Sequence, residues 1–395
     1  MSARRHLRNE PAIAAVFELP PGRYPELSTL DLYREVLSRA LAKWPLKARD
    51  IDGLLVPPAD MAGDHPDILM HERFGDELGL RTVLSETMFA GGASYGLMIQ
   101  RAALAIADGR AEAVLCAGAG KFPRLDEAGR RSMSKIFHPQ FELPYGPTIP
   151  AMYALLATRH MADYGTTPEQ LAAVSVAARA WALRHPHAYM RSRGEISVED
   201  VLQSALIASP FHLLDCSVPC EGGGVILVTT GELARRISAQ PAYIRGMGEF
   251  HSHGYQSQTD AFNISVGTRE AGAQAFRSAD MVPNDIDVIE IYDAFSAMPI
   301  ICLEDLGFCR KGEGGALVAS GRILPGGDLP LNTYGGLLSY GHTGDASGLS
   351  MIVEGALQVM NQAGARQAEN ARAALVHCYG GMQADHSTLI LSREA

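Results

Sequence analysis

The chain has no uninterrupted apolar run near the roughly 20 residues that a membrane-spanning helix needs. Hydrophobic residues nevertheless make up 47% of its 395 positions, enough to bury a large core and more than one folding unit. Positive charge is short: 34 Lys and Arg against 44 Asp and Glu leave a formal charge of -10. Such a balance gives no general attraction to nucleic acid or to an anionic membrane surface. Cysteine is scarce and irregularly placed, at 116, 216, 220, 302, 309 and 378. Six are too few for a disulfide scaffold at this length, and CSVPC lacks zinc-knuckle spacing and a second pair nearby. The expectation is buried reduced thiols and no metal. In the first twenty residues, MSARRHLRNEPAIAAVFELP, Glu10, Pro11 and Glu18 interrupt the segment before a secretory apolar stretch develops, so a cytoplasmic location is expected.

What is present is an internal repeat. LKARDIDGLLV (46–56) and MVPNDIDVIEIYDAF (281–295) lie about 235 residues apart. Each follows an alanine-rich amphipathic segment, carries the turn-forming Asp-Ile-Asp, and ends in a buried-strand run. A second echo pairs GGASYGLMIQRAALAIADG (91–109) with GDASGLSMIVEGALQVMNQ (344–362), each a small-residue turn leading into a helix. Apolar strands follow, in AEAVLCAGAG and RAALVHCYGG. Two α/β units arising by duplication are expected, each a mixed sheet covered by helices.

Between them, residues 121–211 are rich in Pro, Arg, His and Tyr and partly helical, with TPEQLAAVSVAARAWALRH offering a Thr cap and Pro in the first turn. A loop and helical insertion of about 90 residues in a repeated fold reads as a functional lid. The expected division is 1–120 with 212–240 as the first half, 121–211 as the lid, and 241–395 as the second half.

The duplicated unit, the insertion, DIDVIEIYDAF, LNTYGGLLSYGHTGDASG and HCYGGMQADHSTLILS together resemble the thiolase superfamily, in its sterol-carrier-protein-type branch, over essentially the whole chain. Thr343 departs from that family's glycine-rich loop, which usually has proline after the histidine. The resemblance implies two mixed sheets of five-stranded type layered with helices as αβαβα. It also implies four site elements. The nucleophilic Cys at the start of a buried helix falls on Gly92, counting 17 residues back from Gly109, or on Ala90 with a two-residue slip. Neither has a thiol. Ser94 is the only side-chain nucleophile in that turn and is most simply a helix-cap hydroxyl. The tetrapeptide that helps form an oxyanion hole reads Tyr292-Asp293-Ala294-Phe295, the loop histidine is His342, and the acid/base Cys is Cys378, ahead of Gly380-Gly381.

Glycine cannot form a thioester, so a ping-pong route through residue 92 is excluded. The Gly91-Gly92 turn at a helix N-terminus is left as a cradle for a thioester oxygen. Proton transfer falls to His342, Cys378, Tyr292, Tyr340 or Tyr379, tyrosine being suited where a cation or dipole lowers its pKa from about 10. Some Cys-less thiolase-like proteins are aldolases that use tyrosines in this way. The expected activity is therefore retro-aldol cleavage of a β-hydroxyacyl-CoA, with coenzyme A thioester as substrate and no permanently bound cofactor. Two alternatives stay open: a Claisen-type acyltransferase using Cys378 or a partner, and a non-catalytic acyl-CoA-binding scaffold. Arg124, Arg130 and Arg131 of the lid, with Gly380 and Gly381, are the expected coenzyme A contacts. The family further implies a homodimer, which a small zinc-ribbon/OB-fold protein can join to form a heterotetramer.

Overall fold

The computed structural model describes residues 10–60, 66–122 and 135–395. Its strands and helices follow the repeat. The first half has β1 (Pro11–Gly22), α1 (Thr29–Lys43), β2 (Gly53–Val56), α2 (Met70–Glu77), β3 (Leu84–Thr87), α3 (Ser94–Ala107) and β4 (Ala113–Lys121). The insertion contributes α4 (Ile149–Tyr164), α5 (Pro168–Ala182), α6 (Val198–Gln203) and the short pair β5 (Leu206–Ala208) and β6 (Phe211–His212). β7 (Glu221–Thr230) returns to the first half before α7 (Gly231–Ile237). The second half has β8 (Ala242–His251), α8 (Val266–Ala279), β9 (Val288–Ile291), α9 (Ala297–Asp305), α10 (Gly314–Ala319), α11 (Leu349–Val359), β10 (Ala373–Gly380) and β11 (Asp385–Ser392).

The two Asp-Ile-Asp motifs do the same job twice. Asp52 accepts hydrogen bonds from the backbone N–H groups of Glu112 and Ala113 at 2.8 and 2.9 Å, tying β2 to the start of β4. Asp287 accepts from Arg372 and Ala373 at 2.8 and 2.9 Å, tying β9 to β10. The first aspartates, Asp50 and Asp285, accept from the N–H groups of Lys47 and Val282 and close the preceding turn. A carboxylate that satisfies two otherwise orphaned strand-end donors fixes the register locally.

The mixed sheet runs β3-β2-β4-β7-β1-β8-β11-β10-β9. The expected pair of sheets is thus present as two lobes, joined at a narrow seam where Ala12 and Ile13 of β1 meet Tyr243 and Ala242 of β8. The first lobe has five strands and the second four. Where a fifth would lie beside β9, the chain makes one bridge, Ile289 to Leu331. Pro330 has no N–H to donate, and Asn332 sits at φ +51°, so pairing stops there.

Side chains alternate across the strands. Leu54, Leu115 and Leu227 pack under α1 and α2, whereas Leu55, Cys116 and Ile226 face the other core. α3 and α11 are buried on nearly every side, because each packs against strands of both lobes. With α1 outside the first lobe and α8 outside the second, the layers run αβαβα. Thr167 caps α5 by accepting from the Gln170 N–H, and α5 lies against the turn Gly336–Tyr340. The insertion therefore covers the chain that leads to His342. Among the described residues no helix is long and apolar enough to cross a membrane.

Candidate active site

The site forms where α3 begins, between the ends of β9 and β10 and the loop before α11. Ser94 is the first residue of α3. Rather than capping it, its hydroxyl donates to Gly91 O at 2.7 Å and accepts from the Ala90 N–H at 2.8 Å. Gly91 takes φ +55°, a conformation that favours glycine. The turn is packed backbone to backbone: a Cβ on Gly380 would lie 1.9 Å from Ala90 O, and one on Gly91 would lie 3.1 Å from Gly381 N. Gly380 and Gly381 thus serve as the surface on which the Gly91-Gly92 turn rests.

At Gly92 the missing side chain is the informative feature. A Cβ there would fall 2.4 Å from Tyr292 Cε2, 2.6 Å from Tyr292 Cζ and 2.5 Å from the Tyr379 carbonyl oxygen. The space beside residue 92 is taken up by a phenol ring.

Tyr292 is held there by its backbone. Its N–H donates to His377 O at 3.0 Å, and the residue before it is clamped from both sides: Ile291 N–H donates to Asn332 Oδ1 at 2.7 Å, and Asn332 Nδ2 donates to Ile291 O at 2.9 Å. The Tyr292 hydroxyl lies 3.0 Å from His342 Nε2 and 2.8 Å from Ser347 Oγ. Burial pushes its pKa up, and the Ser347 hydrogen bond is the largest influence in the other direction.

His342 is positioned by the CSVPC turn. His342 N–H donates to Val218 O at 2.7 Å, and Cys220 N–H donates to His342 O at 2.8 Å. Its ring is partly exposed and meets Phe122 edge-on at 5.1 Å. Loss of water around the ring lowers its pKa to about 4, so the imidazole is neutral at pH 7. Gly344 N–H donates to Nδ1 at 3.3 Å, which leaves the proton of that neutral ring on Nε2, directed at Tyr292.

Neighbouring residues of β10 face opposite ways. Cys378 turns to the Gly348 carbonyl at 3.8 Å and Met351 Sδ at 3.1 Å, and burial pushes its thiol pKa up. Tyr379 points the other way, edge to face with Tyr292 at 5.0 Å and beside Tyr153 at 6.2 Å. Its hydroxyl is buried and has no hydrogen-bond partner among the described residues. Tyr340 is not brought to this centre: its hydroxyl donates to Glu18 at 2.8 Å. Arg124, Arg130 and Arg131 lie outside the described residues.

Three participants stand inside the motifs without being singled out by them. Ser347 lies five residues beyond His342 in the same loop, a spacing that offered a signal. Asp293, buried, accepts from Leu337 N–H at 2.7 Å and shapes the turn before His342; burial raises its pKa to about 7. Asn332 carries no local signal, because its partner strand is 41 residues away. Two surface hollows, one beside Ser252, Gln256 and Gln383 and one beside Arg159 and Asn263, are lined by neither Tyr292 nor His342.

Residues 248–393 match the thiolase C-terminal domain-like family. An acetyl-CoA acetyltransferase of Methanothermobacter thermautotrophicus is 31% identical over 97% of this chain and 99% of its own length. A steroid side-chain-cleaving aldolase of Thermomonospora curvata is 32% identical over 82% of this chain and 85% of its own. Among solved structures, an Ltp2-ChsH2(DUF35) aldolase superposes with TM-score 0.84 at 29% identity, covering 98% of each chain. The chain belongs to the thiolase superfamily and is a thiolase-like enzyme. Within that superfamily it falls in the sterol-carrier-protein-type branch, in the part that lacks the nucleophilic cysteine.

Proposed function

We propose that this enzyme cleaves a β-hydroxyacyl-CoA by a retro-aldol reaction. The observation that carries the reading is the Tyr292 phenol lying where a nucleophile on residue 92 would need space, with His342 and Ser347 at its oxygen. Tyr292, as phenolate, takes the proton of the β-hydroxyl. The Cα–Cβ bond breaks, its electron pair passes into the thioester as an enolate, and the β-carbon leaves as a ketone or aldehyde. The Gly91-Gly92 turn at the start of α3 faces the enolate oxygen, where backbone donors and the helix end favour negative charge. Tyr379, whose hydroxyl has no hydrogen-bond partner among the described residues, gives its proton to the α-carbon. Tyr292 has then gained one proton and Tyr379 lost one, and exchange through water restores both.

The relatives support this direction, since two of them, from Thermomonospora curvata and Mycobacterium tuberculosis, are an aldolase and a CoA lyase. Claisen-type transfer through Cys378 is disfavoured by a thiol that faces Met351 and whose pKa burial raises. Coenzyme A phosphates are assigned to Arg124, Arg130 and Arg131 on the lid. The cytoplasmic chain works as a homodimer, a reading supported by β3, which among the described residues is an edge strand paired only to β2. A small zinc-ribbon/OB-fold protein joins it, by analogy with the DUF35 complex. Incubation with β-hydroxyacyl-CoA thioesters should release a shortened acyl-CoA and an equimolar carbonyl compound. Coenzyme A-dependent thiolysis of β-ketoacyl-CoA without such cleavage would replace this reading with the Claisen one.

A further inference from the structure

Among the described residues the Tyr292 oxygen has two hydrogen-bonding neighbours, both from the GHTGDASG loop. His342 presents an N–H fixed by its tautomer. Ser347 presents a hydroxyl, which can turn to accept or to donate. That hydroxyl is held in place: Ser347 is 3% exposed, its N–H donates to Gly344 O at 3.1 Å, and among the described residues its Oγ bonds nothing but Tyr292, at 2.8 Å. A serine with no other polar duty, aimed at a phenol in a buried site, has a chemical reason to be there.

We propose that Ser347 is a positioning residue: it turns its hydroxyl to donate to Tyr292 and, together with the His342 N–H, holds the phenolate form of that tyrosine ready for proton transfer. With the phenol protonated, Tyr292 donates to Ser347 and His342 donates to Tyr292. When the phenol loses its proton, the Ser347 hydroxyl reverses, and the phenolate oxygen accepts two hydrogen bonds. Hydrogen bonds to an ionised oxygen are about twice as strong as neutral ones, so the serine favours the charged form. The other titratable groups around Tyr292 oppose ionisation or are neutral. They are Asp293 beside it, Asp345 in the turn before α11, Cys378 and Tyr379 on β10, Tyr153 on α4, and the neutral His342. Ser347 is the group in this set that can follow the proton.

The reaction in which this acts rests on the aldol reading, so the test has an arm that needs no turnover. 3-Fluorotyrosine is placed at position 292 of the full chain, and its fluorine resonance is titrated without substrate in the unaltered chain and in Ser347→Ala, Ser347→Cys and Ser347→Thr. Ala and Cys, the latter nearly the same size as serine but a weak donor, should raise the midpoint by about one pH unit, and Thr should restore it. The ascending limb of kcat/KM, which follows formation of the phenolate, should move up with the midpoint, with roughly tenfold lower rate at pH 7.5. If Ala does not fold, the Cys variant carries the same expectation. An unmoved midpoint in Ala or Cys, or a Thr variant that behaves like Ala, overturns the proposal. A chain with no lyase activity but a shifted midpoint leaves Ser347 in this role and removes the aldol reading alone.

Discussion

At the scale of the residue, two side chains and one that is missing make the site. A methyl on Gly92 would collide with the Tyr292 ring and the Tyr379 backbone. Gly92→Ala should therefore lower stability by about 1–3 kcal/mol, the usual cost of overpacking, read as a fall in Tm together with loss of cleavage. Gly92→Cys should fail to create thiolysis, because the phenol already occupies the space. Tyr379→Phe makes a contrasting prediction. Removing a buried hydroxyl with no partner among the described residues should raise stability by about 1 kcal/mol while reducing turnover at least tenfold; a variant with unchanged turnover would make Tyr379 a packing residue. Counting back from Gly109 points to residue 92 in the sequence, and the motifs point to His342 and Tyr292. What no motif could convey is that the tyrosine lies against the glycine, since they are 200 positions apart. Tyr340, chosen on the same grounds as Tyr292, instead bonds Glu18 across the fold. Local pattern identifies which residues stand near a glycine turn but not the face toward which each points.

At the scale of the element, the repeat was legible because both copies solve one local problem: tying a short strand to its neighbour through Asp52 or Asp287. The strand count was not, because the second lobe ends at β9 for reasons spread over distant segments. There, the Asn332 side chain does for Ile291 what a neighbouring strand's backbone would do, donating to its carbonyl and accepting from its N–H. Asn332→Ala removes both buried bonds and puts alanine at φ +51°. We expect a loss of about 2–4 kcal/mol in chemical denaturation, with kcat falling more than KM rises because Tyr292 is no longer held. A variant with unaltered stability would show that the clamp is redundant with the packing of β9.

At the scale of the whole molecule, two sets of buried groups set the pH response. Burial raises Glu18 from its ordinary 4.5 and Asp293 from its ordinary 3.8, each to about 7, so the native chain keeps protons that the unfolded chain releases, and stability falls as pH rises from about 4 to 7. His342 and His386, held near 4 by burial from an ordinary 6.5, act oppositely. Unfolding lets them bind protons, so their contribution is lost as pH falls from 6.5 toward 4. The slopes oppose each other between about 4.5 and 6.5, giving a shallow dependence. Glu18→Gln should remove one of the two carboxyls that oppose the histidines: its stability relative to the unaltered chain should improve as pH rises from 4.5 to 7, by at most about 3.4 kcal/mol. Parallel curves for the two chains would mean that Glu18 is ionised in the native state.

The central claim, that a tyrosine has taken over where a thiol is absent, is tested most directly by single-turnover cleavage of a β-hydroxyacyl-CoA by Tyr292→Phe. The ring, and so the packing against Gly92, is kept, and only the oxygen is removed. A modestly lowered Tm is expected, because the buried Ser347 hydroxyl loses its partner, with retained thioester binding and a rate lower by about 10²–10⁴-fold, the usual range for a lost general base. Cleavage at an undiminished rate would contradict the claim.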